Sequence, residues 1–373
     1  MANIIDLMQT YDQSDTNDYS IADGIHSISP VESLFQRMLP KVPASAIKHE
    51  WIEDALIERR STTAATIANT TDVTFDVAAG DGALVFPDAA NVDTTIRVDQ
   101  EVMLVTGRAT DTLTITRGYG STTKSTHAAG AKIIVISQHE HEGADGKTAI
   151  AQARTRPANY LQTLSRTVEV TGVQEAVAKL GGVDSEMNYE IVKAMKELAN
   201  ELEDTIINGV LGQVGNGSST YRTMGGLWAM ISTNRNSSSG HISEEVIEAD
   251  LKTIWEAGGI ASVIVTSGAI AQQITDIYEN RVRQDTLFQL GGANITAIVN
   301  PLSMGAIAVI PHRFLSCEYY MLDTSKIALG YLRPFFMKDL ADDGDADKRW
   351  IGGDYTLQLM NEKAHAYRYG FTE

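Results

Sequence analysis

One long stretch of the chain, from Asp184 to Gly212, carries the hydrophobic pattern of a helix with a single buried face. Asp184 and Ser185 can cap its start, and Asn208-Gly209 supplies residue types that tolerate a left-handed stop. At about 1.5 Å per residue the helix would be roughly 40 Å long, so we expect it to be the spine of the fold. Its apolar residues recur every three or four positions, at Met187, Ile191, Met195, Leu198, Leu202 and Ile206.

The hydrophobic pattern changes to a period of two between Ile67 and Ser137. Five or six short strands with glycine-rich turns predict a small barrel or sandwich, inserted as a unit at 67–138. The flanks 45–66 and 139–158 look extended. We therefore predict a long hairpin that carries the insertion and must be stabilised against something else. The alternating residues are Val73, Phe75 and Val77, Ile96 and Val98, Val102 and Leu104, Leu113 and Ile115, and Ile133 and Val135.

A second compact region follows the spine and mixes helices with short apolar strands. The pattern predicts an amphipathic helix at Ser243 to Ala257, a buried strand at Val263 to Thr266 and a helix from Ser267 to about Glu279. Helices that alternate with strands indicate an α/β or α+β layer. Two later strands, Ile327 to Leu332 and Tyr355 to Asn361, are expected to return and pair near the spine.

The first 44 residues are polar and irregular, with a few apolar side chains near their end. Residues 1–20 are as compatible with a disordered tail as with an ordered one. Leu34, Phe35, Met38 and Leu39 have too few local neighbours to form a core. We therefore expect residues 21–44 to be an arm that docks on another surface.

Composition and charge narrow the class of protein. The chain has 373 residues, 43% of them hydrophobic, which is enough for a large core and two or three domains. A formal charge of -18 argues against wrapping nucleic acid through a dense basic surface. Cys317 is the only cysteine, so no intrachain disulfide can form and a reducing compartment is expected. No apolar run reaches the roughly 18 residues of a membrane helix.

Three short motifs suggest chemistry, but each departs from the pattern that the chemistry requires. Gly146-Lys147-Thr148 resembles the end of a phosphate loop, yet His141 occupies the place of its first glycine. His139 and His141 are spaced i, i+2, whereas a hydrolytic zinc site uses i, i+4 on a helix. The acidic turn Asp343 to Asp347 begins like a calcium loop, but Lys348 stands where that loop needs glycine. The sequence therefore predicts no catalytic site, cofactor or metal.

The order of the parts, from arm and long hairpin to spine, second domain and returning strands, resembles the major capsid proteins of tailed bacteriophages with the Hong Kong 97-type fold. Individual segments are similar to the branch typified by the SU-ten-type major capsid proteins. The resemblance covers most of the chain outside 67–138, a β insertion that compact members lack. The matching segments are Ile28 to Glu32, His49 to Trp51, Thr167 to Val177, Arg222 to Leu227, Ile254 to Gly259, Leu329 to Phe335, Gly344-Asp345, Lys348-Arg349 and Tyr355 to Leu357.

The insertion itself resembles a small β module that recurs in phage structural proteins. The two segments that carry this likeness are Arg117 to Thr122 and His127 to Gly130. Its place in the hairpin leaves its role open.

The resemblance implies an α+β fold of the Hong Kong 97 type with a small all-β insertion domain in the E-loop. It assigns the segments as an N-terminal arm at 1–44, the E-loop at 45–66 and 139–158, the β insertion at 67–138, the peripheral domain at 159–212 and 326–373, and the axial domain at 213–325.

The function that the resemblance implies is assembly of the icosahedral shell of a virion. Copies of the chain would form hexamers and pentamers that enclose packaged double-stranded DNA without sequence-specific binding, and assembly would take place in the host cytoplasm. A portal and a decoration protein are further partners to consider. The arm is too short for the fused scaffolding segment of some relatives, so we expect a separate scaffolding protein. No cofactor, enzymatic activity or membrane contact is expected.

The residues expected to act in assembly are apolar or cationic groups on the extensions, glycine joints and cations on a returning strand. Gly181-Gly182, Gly225-Gly226 and Gly258-Gly259 fit joints that let one sequence occupy slightly different environments. The candidate residues are Leu34, Phe35, Met38, Trp51, Arg59, Arg60, Arg222, Gly225, Gly226, Lys348 and Arg349.

Two functions from other classes remain open at this stage. A tail or fibre protein could use the β module for host attachment, although the sequence lacks the repeats expected of a fibre. A metal-dependent enzyme could use the cluster from His139 to Glu142, which stoichiometric bound metal would reveal.

Overall fold

The computed structural model describes residues 34–56, 59–86, 93–140, 142, 153–177, 185–216, 219–278, 282–283, 289–290, 293–294, 296–300, 302, 305–341 and 344–372. The chain divides into two compact units. One unit, here called the body unit, comprises Met1–Trp51 and Pro157–Glu373, and the other, the barrel unit, comprises Ile52–Arg156. The Gly181-Gly182 joint and the Gly146-Lys147-Thr148 motif lie outside the described residues.

The spine helix of the body unit is Glu186–Asn208. Its start is capped as predicted, because the Ser185 side chain accepts a hydrogen bond from the Asn188 amide at 3.2 Å. Met195 was expected on the buried face but is 46% exposed, and Ala194 takes the inward position. Both positions satisfy helical spacing, so the pattern alone could not choose between them. The buried residues are Met187, Ile191, Ala194, Leu198, Leu202, Glu203, Ile206 and Ile207.

A four-stranded sheet shares its core with the spine helix. Its first pair of strands is parallel and the other two pairs are antiparallel. The shared core includes Leu164, Leu198, Leu202, Leu329 and Leu357, all nearly inaccessible to solvent. The strands, in sheet order, are Lys41–Pro43, Ile327–Asp339, Ala346–Leu359 and Gln162–Thr171.

A seven-stranded mixed sheet forms the second layer of the body unit, with a core that includes residues of helices Glu244–Glu256 and Gly268–Ile277. The domain prediction placed the last strand, Ala366–Tyr369, with the peripheral segment, whereas it pairs here with Glu318–Leu322. Strand pairing joins segments far apart in sequence, so a local pattern could not assign it. The strands, in sheet order, are Arg235–Ser237, Ala366–Tyr369, Glu318–Leu322, Val263–Thr266, Gly305–Pro311, Thr296–Asn300 and Val282–Arg283.

Shorter elements complete the described part of the body unit. The helices are Leu34–Met38, Gly172–Ala176 and Leu227–Met230, with 3-10 turns at Thr324–Lys326 and Glu362–Ala364. The two-stranded pairs are Lys48–Glu50 with Ala158–Tyr160, Gly212–Asn216 with Ser219–Thr223, and Gln289–Leu290 with Ala293–Asn294.

The barrel unit is a six-stranded antiparallel sheet with its own core. Ile96, Met103, Leu113 and Ile133 in that core are completely buried. A short helix, Asp81–Val85, and a 3-10 turn, Tyr119–Ser121, are its other regular elements. The strands, in sheet order, are Arg60–Thr62, Lys132–Gln138, Thr94–Val98, Glu101–Ala109, Thr112–Thr116 and Thr74–Asp76.

Hydrogen bonds join the two edge strands and close this sheet into a barrel. The Ala64 amide donates to the Asp76 carbonyl and the Ala78 amide donates to the Thr62 carbonyl, both at 2.9 Å. Closure satisfies edge groups that would otherwise be free to pair with another chain. The first strand begins at Arg60, so residues before the predicted start at 67 contribute to the barrel.

Candidate assembly surfaces

The end of the N-terminal arm packs on its own chain. Phe35 is 0% exposed and Leu39 is 3% exposed, and both belong to the core around the spine helix. Leu34 and Met38 are partly buried against the same core. We expected these apolar groups to be covered by another surface, and for Phe35 that surface lies within the same chain. Phe35 is therefore corrected from a contact between copies to a core residue.

A buried carboxylate on the spine helix holds the first turn of the arm helix. Glu203 is 0% exposed, and its two oxygens accept hydrogen bonds from the amides of Phe35 and Gln36, each at 2.8 Å. These amides belong to a helical first turn, where backbone N–H groups have no partner within the helix. We call this contact the arm latch. The hydrophobic pattern did not predict this contact, although a glutamate beside Leu202 on the apolar face of a helix was an available signal.

A buried histidine lies next to the arm latch. His312 is 2% exposed, and its Nε2 atom lies 3.8 Å from Oε1 of Glu203. Burial lowers the pKa of the His312 imidazole, and the Asp204 carboxylate offsets part of that effect. Desolvation thus favours the neutral ring beside the latch.

Trp51, another candidate for contact between copies, is also covered by its own chain. It is 7% exposed, its amide donates to the Pro157 carbonyl at 3.2 Å, and its ring lies 6.1 Å from that of His49. It directly follows strand Lys48–Glu50, which pairs with Ala158–Tyr160. The expectation that Trp51 is an assembly residue is corrected accordingly.

Gly226 is required by close packing rather than by a flexible joint. A Cβ atom there would lie 2.6 Å from the Gly209 nitrogen and 2.7 Å from the Ile206 carbonyl oxygen. Gly209 ends the spine helix with φ near −56°, so the predicted left-handed stop is wrong. Gly209 is required by close packing, as Gly226 is, because a Cβ at Gly209 would lie 2.4 Å from the Thr205 oxygen. The two glycines let the spine and the following segment approach each other.

Gly225 is fixed by a buried asparagine that the sequence analysis did not single out. Asn159 accepts a hydrogen bond from the Gly225 amide at 2.8 Å and donates to the Gly225 carbonyl at 2.9 Å. The same side-chain amide donates to the Leu357 carbonyl at 2.7 Å. Asn159 thereby ties the segment after the spine to the four-stranded sheet, and Gly225 is held rather than mobile.

Arg222 lies on an exposed two-stranded hairpin, Gly212–Asn216 with Ser219–Thr223. On the strand it stands opposite Gln213, and the next pair is Val214 opposite Tyr221. Val214 is 72% exposed and Tyr221 is 73% exposed. A cross-strand apolar pair this open gains little in an isolated chain, because a two-stranded sheet is marginal by itself. We call Val214 and Tyr221 the hairpin surface; Arg222, one position further along the strand, projects from the opposite face.

Lys348 and Arg349 form ion pairs within the four-stranded sheet. The Lys348 ammonium lies 3.2 Å from Oε1 of Glu169, and Nε of Arg349 lies 3.2 Å from Oδ1 of Asp339. Exposed pairs of this kind contribute about 0–1 kcal/mol each. The structure therefore gives both cations a role inside one copy.

Arg59 and Arg60 are exposed at the edge of the barrel unit. Nη2 of Arg59 donates to the Ile136 carbonyl at 2.9 Å. Arg60 begins the first barrel strand.

A buried ionic cluster explains two motif segments of the insertion. Glu101 is 0% exposed and accepts two parallel hydrogen bonds from Arg117, each at 2.7 Å. His127 Nε2 lies 3.1 Å from the same carboxylate, and its Nδ1 lies 2.7 Å from Asp99. The Arg117 guanidinium also donates to the Asn69 and Ser125 carbonyls. We call this the barrel ion cluster.

The barrel ion cluster keeps the Glu101 carboxylate charged. Burial raises its pKa, but hydrogen bonds from Arg117, the Ser125 amide and His127 outweigh that effect and lower the pKa to about 2. The cluster ties the turn after Arg117 to the strand that begins at Glu101. Its role is therefore structural, since its buried groups bond to one another and to neighbouring backbone groups.

The motifs weighed for chemistry assemble no such site among the described residues. His139 stacks on Tyr119 at 6.4 Å, whereas His141 lies outside the described residues. Asp347 pairs with Val170 in a strand, which a calcium loop could not provide, and Asp343 is not described. The described ranges contain no group of three or more side chains placed to hold a metal. Among the described helices, none has the length and hydrophobicity to cross a membrane.

Comparison with solved structures identifies the fold. The capsid asymmetric unit of cyanophage A-1(L) is similar over 98% of this chain and 100% of its own, with 11% identity and a TM-score of 0.56. The capsid of a native GTA particle matches over 98% and 100%, with 8% identity and a TM-score of 0.53. The SrpI encapsulin of Synechococcus elongatus PCC 7942 matches over 98% and 96%, with 8% identity and a TM-score of 0.51. The predicted Hong Kong 97-type fold is confirmed.

Comparison by sequence points to one family. Residues 8–370 match the family model described as SU10 major capsid protein. A search of curated protein sequences found no significant match.

Proposed function

The chain belongs to the SU10 major capsid protein family, and from this premise we propose which of its surfaces build the shell. As a member of that family it is a phage major capsid protein, a component of the virion whose copies associate into a multimeric shell. The family is structural and is not an enzyme class. Membership supports the capsid function over the tail or fibre alternative, and the principal partner of a capsid protein is another copy of itself.

The segments keep the roles that the resemblance implied for them as part of the proposal. One shell subunit comprises the arm at 1–44, the E-loop at 45–66 and 139–158, the insertion at 67–138, the peripheral segments at 159–212 and 326–373 and the axial segment at 213–325. The last strand, Ala366–Tyr369, is reassigned to the axial sheet with which it pairs. Hexamers and pentamers of this subunit assemble in the host cytoplasm with a portal and a separate scaffolding protein. The finished shell encloses double-stranded DNA.

The hairpin surface supports this proposal most directly. Val214 and Tyr221 are each more than 70% exposed, and they face one another across two strands. Apolar pairs this open are favourable only when a partner covers them, and aromatic residues and arginine are enriched where proteins meet. Of the predicted assembly residues, Arg222, Arg59 and Arg60 remain candidates, whereas Phe35 and Trp51 do not.

Negative-stain microscopy of the purified chain, with sedimentation velocity, tests the proposal. We expect capsomers or irregular particles for the wild-type chain expressed without its scaffold. Val214→Ser with Tyr221→Ser should leave the melting temperature of the monomer nearly unchanged and reduce the assembled fraction. A matched control is Val173→Ser, at another open apolar residue, which is 67% exposed on a different element. A wild-type chain that stays monomeric at high concentration, with and without cell extract that contains its scaffold, would refute the function.

The same experiment tests the need for a scaffold. Uniform closed shells from the chain expressed alone would contradict the proposal of a separate scaffolding protein, whereas irregular particles would support it.

A further inference from the structure

The outer face of the barrel unit carries a row of two arginines and two apolar residues. Cross-strand pairing sets Arg60 opposite Ile134, Ile134 opposite Arg97, and Arg97 opposite Val102. Residues directly opposite in a sheet project from the same face. We call these four residues the outer row.

The neighbouring row shows that the outer row faces away from the core. One position along each strand the pairing is Ser61 with Ile133, Ile133 with Val98, and Val98 with Glu101. All four of these residues are buried, whereas Arg60, Ile134 and Arg97 are exposed and Val102 is half-buried. Side chains alternate along a strand, so the outer row is presented to solvent.

The two arginines have no acidic partner within the part of the chain that the structure describes. The guanidinium groups of Arg60 and Arg97 make no ion pair or hydrogen bond with a described residue, although the chain as a whole carries 48 acidic and 30 basic residues. Two guanidinium groups that have no acidic partner among the described residues therefore flank an exposed isoleucine on a protein of net charge -18. Guanidinium is weakly hydrated for a cation, which makes it suited to contacts that exclude water.

We propose that the outer row docks on an acidic surface of a second copy of this chain. The inference rests on the proposed function, because only a shell brings copies together at high local concentration, and it adds the surface and the chemistry of its partner. A second copy is the occupant that charge complementarity favours, since each copy carries an excess of carboxylates. Ile134 supplies an apolar contact between the two arginines, Val102 supplies another at the end of the row, and the arginines supply charge that sets register and orientation.

The test compares charge reversal in the outer row with an equal reversal elsewhere. The row variant is Arg60→Glu with Arg97→Glu, and the control is Lys124→Glu with Lys252→Glu, two exposed cations outside the row. Light scattering of the full chain gives the threshold concentration for association at about 50 mM and about 500 mM NaCl, where screening differs strongly. We expect the row variant to raise the low-salt threshold about tenfold, as two weak surface contacts would, and the control to match the wild-type chain.

Crosslinking gives a second measurement that does not depend on the charge-reversal variants. A carbodiimide joins amines to carboxylates in direct contact, and Lys132 lies two residues from Ile134 on the same strand. In particles assembled from isotope-labelled and unlabelled chains, we expect mixed-isotope peptides that join Lys132 to an aspartate or glutamate of another copy. Arg60→Gln with Arg97→Gln, which removes charge without adding any, should give fewer of them.

Each outcome decides the inference. A row variant that associates like the control, at both salt concentrations, overturns it. If that variant loses retention on immobilised heparin but associates normally, the row binds an external polyanion and the inference is again overturned. If the wild-type chain and the control both stay monomeric, the proposed function has failed and the inference fails with it. That case differs from the others because the wild-type chain fails too.

Discussion

The arm latch leads to a sharp prediction for Glu203→Gln. Glutamine keeps the size and helix propensity of glutamate but offers one acceptor oxygen in place of two. One of the two amides, Phe35 or Gln36, would then face an NH₂ group, and its hydrogen bond at 2.8 Å would be lost. The side chain is completely buried, so water cannot replace the missing acceptor.

The cost follows from two contributions. A buried amide without a partner costs about 1–3 kcal/mol, and the remaining amide loses the extra strength of a bond to a charged acceptor. Together these destabilise the docked first turn by about 3 kcal/mol, which corresponds to roughly a hundredfold increase in local opening. The arm strand should stay attached, because the Leu329 amide donates to Pro40 and the Ala44 amide to Tyr331, both at 2.8 Å.

Hydrogen exchange of the full chain, resolved to short peptides, measures this opening. We expect faster exchange at residues 34–38 and unchanged exchange at 41–44. The control is Glu201→Gln on the same helix, where the carboxylate is exposed and lies 3.7 Å from the Arg166 guanidinium. This change should leave the exchange rate of both segments unaltered. Equal exchange of residues 34–38 in the wild-type and Glu203→Gln chains would refute the latch. Faster exchange at 41–44 as well would show that the whole arm detaches, and would refute the expectation that the strand stays attached when the helix opens.

Three further perturbations follow from the packing and the charges. Gly226→Ala places a methyl group against the backbone of Gly209 and Ile206 and should cost about 3 kcal/mol of stability. Calorimetry would show a lower Tm. The control Gly268→Ala, at a position with open space around it, should not lower the Tm. Glu101→Gln leaves Arg117 buried without its carboxylate and should destabilise the barrel unit by about 3–5 kcal/mol, seen as faster exchange at 94–138 and a normal rate in the spine helix. Because the folded-state pKa of Glu101 is depressed from 4.5 to about 2, its stabilisation is present above pH 4.5 and is lost as the pH falls toward 2. Exchange in the barrel unit is therefore compared at each pH with the rate of an unfolded peptide. Protection that does not fall with acid in the wild-type chain, or that falls equally in Glu101→Gln, would contradict this assignment.

The sequence by itself determined the elements whose signal is local. The spine helix follows from apolar residues spaced three or four apart and from a serine at its cap, and both are set within one segment. The barrel strands follow from alternation between turns in the same way. The order of these parts, with short matching segments, was enough to indicate the capsid fold and family.

Only the tertiary structure decided which groups those elements cover and pair. Phe35 and Trp51 look unpartnered along the chain, but Phe35 joins the spine core, and Trp51 is buried beside a strand whose partner, Ala158–Tyr160, is far away in sequence. Gly209 and Gly226 look like a stop and a joint, whereas their lack of a side chain serves one close approach. Glu203 and the barrel ion cluster required knowing which distant amides and cations would lie within hydrogen-bond distance. Local pattern reports the preference of a segment, while burial and pairing are set by contacts between segments that only the folded chain brings together.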